Sequence, residues 1–531
     1  MMDVPLSTWS LFNSAGRHHH GSEVVSRQPD GHVHRYRLGD FSGRAQQLMG
    51  ALDALGLEPG ARVATLAWNG YRHLEAYFGV PCSGRVLHTL NVRLSAEELA
   101  FVMADAEDSA VLVDPDFLPL LEKVAPDLPG LRHVIVLGPD VAGTSIPGAV
   151  AYEDLLAAQP TRYERGAIDE RSPAGICYTS GTTGRPKGVV YTHRSTFLHA
   201  LACSSAAGMA IGPAECVLPQ VPMFHANAWG MPYASVAVGA KLVFYAGPFA
   251  PAPFADLLEA ERVTITAAVP TVWIGLGDEL ATRPRPAHLH HIVCGGSQPP
   301  RALIERYLRD FGVPIVQAWG MTETSPLATM AWPQEQMRDW DEDRVTRAAR
   351  SQAGLPLPGI EISIRDEDGG EVAFDGESMG TLHVRGPWVA DGYLHGHGAD
   401  SFSADGFFNT GDVAIGSPDG YMVIADRTKD LIKSGGEWIS SVDMEAAIMA
   451  MPGIVEAAVV AIPDPRWVER PMACIVVAPG ADVTVGAVRT HLEASGFARW
   501  QLPDRVEVIE EVPKTAVGKF DKKVLRARFP E

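Results

Sequence analysis

Tyr178-Thr-Ser-Gly-Thr-Thr-Gly-Arg-Pro-Lys-Gly188 is the stretch on which the fold and the chemistry turn. The apolar run at 174–178 has the length and composition of a buried strand, and it breaks off into residues that serve no core. Gly181 and Gly184 let the backbone turn tightly and expose its N–H groups. Thr179, Ser180, Thr182 and Thr183 add hydroxyls, and Lys187 adds a positive charge. Together these groups suit a polyphosphate. The loop is not a Walker A loop, because Gly184 is followed by Arg-Pro-Lys-Gly rather than by Lys and Ser or Thr. Pro186 also disfavours a helix that starts at the lysine. A polar surface turn is the plainer alternative, but ten consecutive residues of this kind directly after a buried strand argue against it.

Outward from the loop, strand and helix patterns alternate. Ala45, Leu48, Met49, Leu52 and Leu55 keep helical spacing, and Gly56 stops that helix before a strand at 63–66. Short apolar runs follow at 110–113, 134–137, 242–245, 265–269, 292–294 and 315–318, many separated by helical patterns. That alternation predicts largely parallel sheets. After about residue 355 the texture changes to short strands at 360–364, 381–384 and 421–424, divided by Asp/Gly turns, which predicts an antiparallel or barrel-like piece. The polar run at 426–430 marks a boundary. The expected domains are 1–426 and 427–531, the second with strands or helices at 457–462, 473–477, 485–495 and 506–509.

At 531 residues, two or three folding units are expected. With 44 basic against 64 acidic residues the formal charge is −20, which disfavours nucleic acid and anionic membrane as partners. No apolar run approaches the roughly 18–20 residues of a membrane span, and Met-Met-Asp-Val-Pro-Leu lacks the features of a signal peptide. Six scattered cysteines, several inside apolar runs, predict buried thiols in a reducing compartment. A cytoplasmic location is the expectation.

Further motifs stand in order along the chain: Val221-Pro-Met-Phe-His-Ala-Asn-Ala-Trp229, Gly295-Gly-Ser297, Gln317-Ala-Trp-Gly-Met-Thr-Glu323, Thr410-Gly-Asp412, Asp426-Arg-Thr-Lys-Asp-Leu-Ile-Lys433 and Pro513-Lys-Thr-Ala-Val-Gly-Lys519. With the phosphate loop they resemble the signature motifs of the adenylate-forming superfamily, which includes acyl-CoA synthetases, peptide-synthetase adenylation domains and beetle luciferases. The resemblance spans nearly the whole chain. It implies an α/β fold with a large N-terminal domain of two βα-layered subdomains and a small β-barrel-like piece, followed by a small mobile α+β C-terminal domain. It also implies ATP, Mg²⁺ and coenzyme A. A carboxylate attacks the α-phosphate to give acyl-adenylate and pyrophosphate, and a thiol then displaces AMP.

The resemblance assigns roles residue by residue. The loop from Thr179 to Lys187 would hold the phosphates, and Glu323 with Thr179 would meet the magnesium. One carboxylate with several waters suits that ion. Gly295, Gly296 and Ser297 would form the adenine pocket with Gln317, Ala318, Gly320 and Thr322. Trp319 would stack on the base, where relatives usually carry Tyr and Trp offers a larger π face. Ala318 stands where many relatives have Gly or Ser. Asp412 would accept both ribose hydroxyls, and Arg427 would add a ribose or phosphate contact. Lys519 would reach the α-phosphate during adenylation. Rotation about Lys429 would exchange it for a thioester-forming face built from Asp430, Lys433, Gly435, Gly436, Glu437, Trp438 and Glu469.

His225, Ala226, Trp229 and Gly295 would line the acyl pocket. Amino-acid-activating relatives carry an aspartate where this chain has His225. An ammonium there would lack its counter-ion, at a cost of several kcal/mol, so amino acids are excluded. The closest resemblance is to medium- and long-chain fatty acyl-CoA synthetases, a subgroup that includes ligases for short thioether acids such as 3-methylmercaptopropionate. An aliphatic acid is the expected substrate, and Trp229 would gate its tunnel. Transfer to a carrier protein is the alternative within enzymes. A non-catalytic nucleotide- or acyl-binding protein is the alternative outside them, and the intact Lys187, Glu323, Asp412, Lys433 and Lys519 argue against it. Long-chain members include homodimers, so a homodimer is the expectation here.

Overall fold

The apolar spacing around residues 45–55 forms the helix Leu38–Ala54, which buries Phe41, Ala45, Leu48, Met49 and Leu52. The fold is that of a computed structural model. It describes every residue except 1, 142, 165, 180–184, 428–429, 435–436, 482, 515–519 and 530–531, and the side chain of Glu437.

Next to that helix runs Arg62–Leu66, near the middle of a seven-stranded sheet. The order across the sheet is Val150–Ala151, His133–Val136, Asp108–Val113, Arg62–Leu66, Val86–Thr89, Pro173–Thr179 and Lys187–Thr192. Every pair is parallel except the last, where Thr179 lies opposite Lys187. The two strands that flank the expected phosphate loop therefore pair as an edge hairpin, and Lys187 opens a strand rather than a helix.

A nine-stranded sheet is parallel through its centre, with Glu23–Arg27, Lys241–Tyr245, Cys216–Pro219, Ile265–Ala268, His291–Cys294 and Ile315–Gly320 aligned. The antiparallel strands Leu327–Met330 and Leu355–Pro356 close one edge, and Val33–Arg37 closes the other. One hydrophobic cluster joins the inner faces of both sheets, from Val63, Leu87 and Leu112 to Val217, Leu242 and Val316. The buried helices Tyr71–Cys82 and Met231–Val238 contribute to that cluster. Separate cores cover the outer faces, one with Ala96–Asp105 and the other with Pro251–Ala260 and Pro270–Leu280. With both faces covered, these strands read as continuous apolar runs.

The chain then forms an antiparallel meander of Glu361–Arg365, Met379–Arg385, Phe408–Gly416 and Met422–Arg427. Arg427, opposite Asp412, is the last residue of this sheet. The C-terminal unit pairs Ile432–Ser434, Glu437–Ile439, Ile454–Asp464, Val468–Val477 and Arg505–Val508 in one mixed sheet. Its helices are Ser441–Met449, Val485–Ala494 and Lys522–Arg528. All six cysteines are buried thiols. Among the described residues no helix is long and apolar enough to cross a membrane.

Candidate active site

Gly295, Gln317, Trp319 and Glu323 gather where the parallel strands end, the usual ligand edge of open α/β sheets. Ile315–Gly320 carries Gln317 and Ala318 buried, then Trp319 half-buried, before the tight turn Thr322–Thr324. From Phe408–Gly416 Asp412 points at the same place, only 3% exposed. The Trp319 indole Nε1 donates to Asp412 Oδ2 at 3.0 Å. Arg427 Nε lies 3.0 Å from Asp412 Oδ1, an ion-pair distance. Its direction is not that of a hydrogen bond, so Oδ1 has no hydrogen-bond donor among the described residues. The oxygen of Gln317, Oε1, is in the same condition. Buried acceptors are normally satisfied, and these two suit the hydroxyls and amine of a nucleoside. The sequence brought Trp319 and Asp412 to one ligand, and the structure also bonds them to each other.

Glu323 is 5% exposed. Its Oε1 accepts a 2.7 Å hydrogen bond from the Tyr393 hydroxyl, and its main-chain oxygen accepts from Ala390 N at 2.7 Å. Lys187 Nζ sits 5.1 Å from the centre of the Tyr393 ring. One tyrosine thus ties the expected metal ligand to the expected phosphate lysine. Burial and the adjacent Glu323 carboxylate both hold the Tyr393 hydroxyl above its usual range, so it stays a donor. Tyr191 OH fixes the turn from behind by donating to Thr322 O at 2.8 Å. Among the described residues no cluster of three or more His, Cys, Asp or Glu could hold a metal by itself. A single buried carboxylate fits Mg²⁺, which keeps waters and takes substrate phosphates as ligands.

The expected acyl wall is assembled beside this edge. A Cβ on Gly295 would fall 2.8 Å from Ala318 O and 3.0 Å from the Trp229 ring, so only glycine lets that indole and the strand close on each other. Trp229, 6% exposed, belongs to the central core. It stands on an unusual backbone. Ala226, Asn227, Ala228 and Trp229 have φ of 42°, 54°, 48° and 55°, and Gly230 follows at 74°. This is one turn of left-handed helix made largely of L-residues, which costs about 1–2 kcal/mol per residue in isolation. Strain of this kind persists where packing enforces it and gathers at functional sites. His225, half-buried, leads into the turn and accepts from Ala228 N at 3.1 Å through its carbonyl.

His199, from the helix His193–Ser204, lies buried beneath the turn. Its Nε2 accepts from Leu327 N at 3.0 Å, and its ring is 2.5 Å from where a Cβ on Gly230 would stand. Burial lowers its pKa to about 3, so it is neutral. His199 therefore touches both the acyl turn and the strand that follows the Glu323 turn. Neither Tyr393 nor His199 was legible as a site residue. Each is far in sequence from its partner, and no motif surrounds either.

The Lys433 group is built separately, on the C-terminal sheet. Lys433 and Trp438 are exposed and opposite each other, with Nζ 4.9 Å from the ring centre. Lys433 N donates to Glu469 Oε2 at 2.8 Å. Asp430 is nearly buried and ion-paired with Arg526 of the last helix. Gly296 and Ser297 follow His291–Cys294 on a turn, Ser297 being exposed. Thr179 and Lys187 flank the phosphate loop. Ser180, Gly181, Thr182, Thr183, Gly184, Lys429, Gly435, Gly436 and Lys519 lie outside the described residues, as does the side chain of Glu437.

Residues 12–394 match the AMP-binding enzyme family, and residues 443–519 match the AMP-binding enzyme C-terminal domain. The chain is 45% identical to a long-chain-fatty-acid–CoA ligase of Thermus thermophilus, over 100% of this chain and 96% of that one. It is 39% identical to a 3-methylmercaptopropionyl-CoA ligase of Ruegeria lacuscaerulensis, over 100% and 98%. The structure is similar to ATP-bound MatB from Rhodopseudomonas palustris, with a TM-score of 0.85, 26% identity and 99% of each chain covered.

Proposed function

Because the chain belongs to the AMP-binding enzyme family, we propose that it is an acid–thiol ligase. It joins an aliphatic carboxylic acid of medium or long chain to coenzyme A, with ATP and Mg²⁺. The observation that carries this reading is a juxtaposition. Candidate nucleotide-holding groups (Trp319 and Glu323, with Asp412 reaching in from the antiparallel meander) and an apolar wall (Gly295, Trp229) meet at one edge of the nine-stranded sheet, with Ala318 O against Gly295 as the seam.

In the first half-reaction an oxygen of the acid bonds to the α-phosphorus while the bond to pyrophosphate breaks. Two anions must meet, so charge neutralisation dominates the barrier. Lys187 beside Tyr393 and, by resemblance, Lys519 supply fixed positive charge. Glu323 and Thr179 would hold Mg²⁺, which would balance the phosphate charge. Asp412 would take the ribose hydroxyls, and Trp319, held by its own bond to Asp412, would lie against the base. In the second half-reaction the thiol of coenzyme A loses its proton, its sulfur bonds to the acyl carbon, and AMP leaves. Lys433, Trp438 and Glu469 are the residues we assign to that step.

No carboxylate stands at the position of His225, which favours an acid without an amine. The 39% identical ligase for 3-methylmercaptopropionate supports a second reading, in which the acid is a short thioether. The six buried thiols, none of them in a disulfide, support a cytoplasmic location. A panel of acids from C2 to C18, with thioether and aromatic acids included, tests the substrate. It is scored by acyl-CoA formation, with acyl-carrier protein as the competing acceptor. A maximum among C6–C18 aliphatic acids with coenzyme A supports the first reading. A maximum at the thioether acid supports the second, and turnover only with carrier protein overturns both.

A further inference from the structure

The loop that carries His225 and Trp229 is held largely from another sheet. After Cys216–Pro219 the chain runs through Gln220 to Phe224, and Gln220 N and Val221 N donate back to Ala267 O. The next backbone groups are met by side chains of the seven-stranded unit. Asn69 Nδ2 donates to Pro219 O at 3.1 Å and to Val221 O at 2.9 Å, and Asn69 Oδ1 accepts from Met223 N at 2.7 Å. Tyr77 OH donates to Met223 O, and Thr89 Oγ1 donates to Phe224 O at 3.3 Å.

We infer that Asn69, assisted by Tyr77 and Thr89, is a positioning residue that fixes the acyl loop in register with the strand bearing the phosphate loop. This inference rests on the acid-activating reading of the site. Asn69 is 7% exposed, and its amide supplies two N–H donors and one acceptor to two carbonyls and one N–H. Asp would turn an oxygen toward carbonyls, and Leu would leave three buried backbone groups without partners.

The turn that presents Asn69 is itself anchored. Trp68 N donates to Asp114 Oδ2 at 2.8 Å. His73, held neutral by burial with its pKa near 4, donates from Nδ1 to Trp68 O at 3.0 Å and accepts from Thr65 Oγ1 through Nε2 at 2.9 Å. The other end of the clamp reaches the phosphate strand. Thr89 pairs with Cys177, two residues before Thr179, and its hydroxyl lies 3.2 Å from Cys177 Sγ. Cys177 Sγ is in turn 3.5 Å from Asn227 Oδ1 in the left-handed turn. Acid and α-phosphate meet only if these two supports keep their spacing.

Asn69→Leu, Asn69→Asp and Tyr77→Phe test the clamp. Two readouts are used: KM for the acid and for ATP in acid-dependent pyrophosphate exchange, and hydrogen exchange of the peptide spanning 219–229 without substrates. Asn69→Leu raises the acid KM by roughly tenfold or more, leaves the ATP KM within about twofold, and speeds exchange in 219–229 alone. Asn69→Asp and Tyr77→Phe shift the same two readouts in the same direction by less, and decide the matter if Asn69→Leu fails to fold. An unchanged acid KM with unchanged local exchange overturns the inference, as does a parallel rise in both KM values with exchange accelerated throughout the core. If the wild type activates no acid, the proposed function fails, while exchange in 219–229 still decides the clamp.

Discussion

The Trp319 indole has two faces to offer a nucleotide and one N–H to offer the protein, and Asp412 takes the N–H. The expected stacking residue therefore also orients the expected ribose carboxylate. Trp319→Phe keeps a ring and removes the donor. A hydrogen bond to a charged acceptor contributes about 1.5–3 kcal/mol, so KM for ATP rises by roughly tenfold to a hundredfold while KM for the acid stays within about twofold. Steady-state kinetics with each substrate varied in turn check this, and equal rises would show a general loss of the site. His199 gives a prediction of another kind. Its folded pKa, near 3, lies below the 6.5 of an exposed histidine. Between those values the unfolded chain binds the extra proton, so stability falls as pH drops from about 6.5 toward 3 and then levels off. His199→Gln keeps an acceptor for Leu327 N and removes the titration. Its urea-unfolding free energy loses up to about 1.4 kcal/mol per pH unit less than wild type between pH 6 and 4. Identical slopes would place His199 in a different environment.

The elements were legible where one apolar pattern sufficed. The runs at 63–66, 110–113, 242–245, 265–269, 292–294 and 315–318 all fall within or overlap parallel strands, because strands covered on both faces read as continuous apolar runs. The turn from Ala226 to Gly230 was not legible. Its sequence has a single glycine, at the end, and left-handed backbone at Ala, Asn, Ala and Trp is imposed by packing that joins distant segments. The link from Glu323 through Tyr393 to Lys187 was hidden for the same reason: its members lie on three separate elements. Two outcomes follow at this scale. Gly230→Ala places a Cβ against His199 at a φ of 74°, and destabilises the protein by about 2–4 kcal/mol, measured by urea unfolding. Trp229→Ala removes the ring from the Gly295 seam and changes the chain-length profile more than it changes KM for ATP. An unchanged acyl profile would remove Trp229 from the pocket wall.

Across the whole molecule the strands that flank the expected phosphate loop belong to one sheet, Gln317 to Trp319 of the expected adenine pocket to a second, Asp412 to a third and Lys433 to the C-terminal sheet. Seven motifs in order were enough to place these parts in one family, because their chemistry is carried by short local segments. How the parts touch depends on side chains such as Asn69 and Tyr393, whose partners no local pattern names. We assign adenylation to Lys519, by resemblance, and thiol attack to Lys433, so that each half-reaction has its own lysine. Lys519→Ala slows adenylation far more than thiol attack on supplied acyl-adenylate, and equal losses in both would contradict that division. The account stands or falls on acyl-adenylate formation, which is read most directly by exchange of labelled pyrophosphate into ATP without coenzyme A. The prediction is exchange that requires Mg²⁺ and an aliphatic acid, with AMP rather than ADP as the product once coenzyme A is added. Exchange absent with every acid tested, or ATP cleaved to ADP and phosphate, would contradict it.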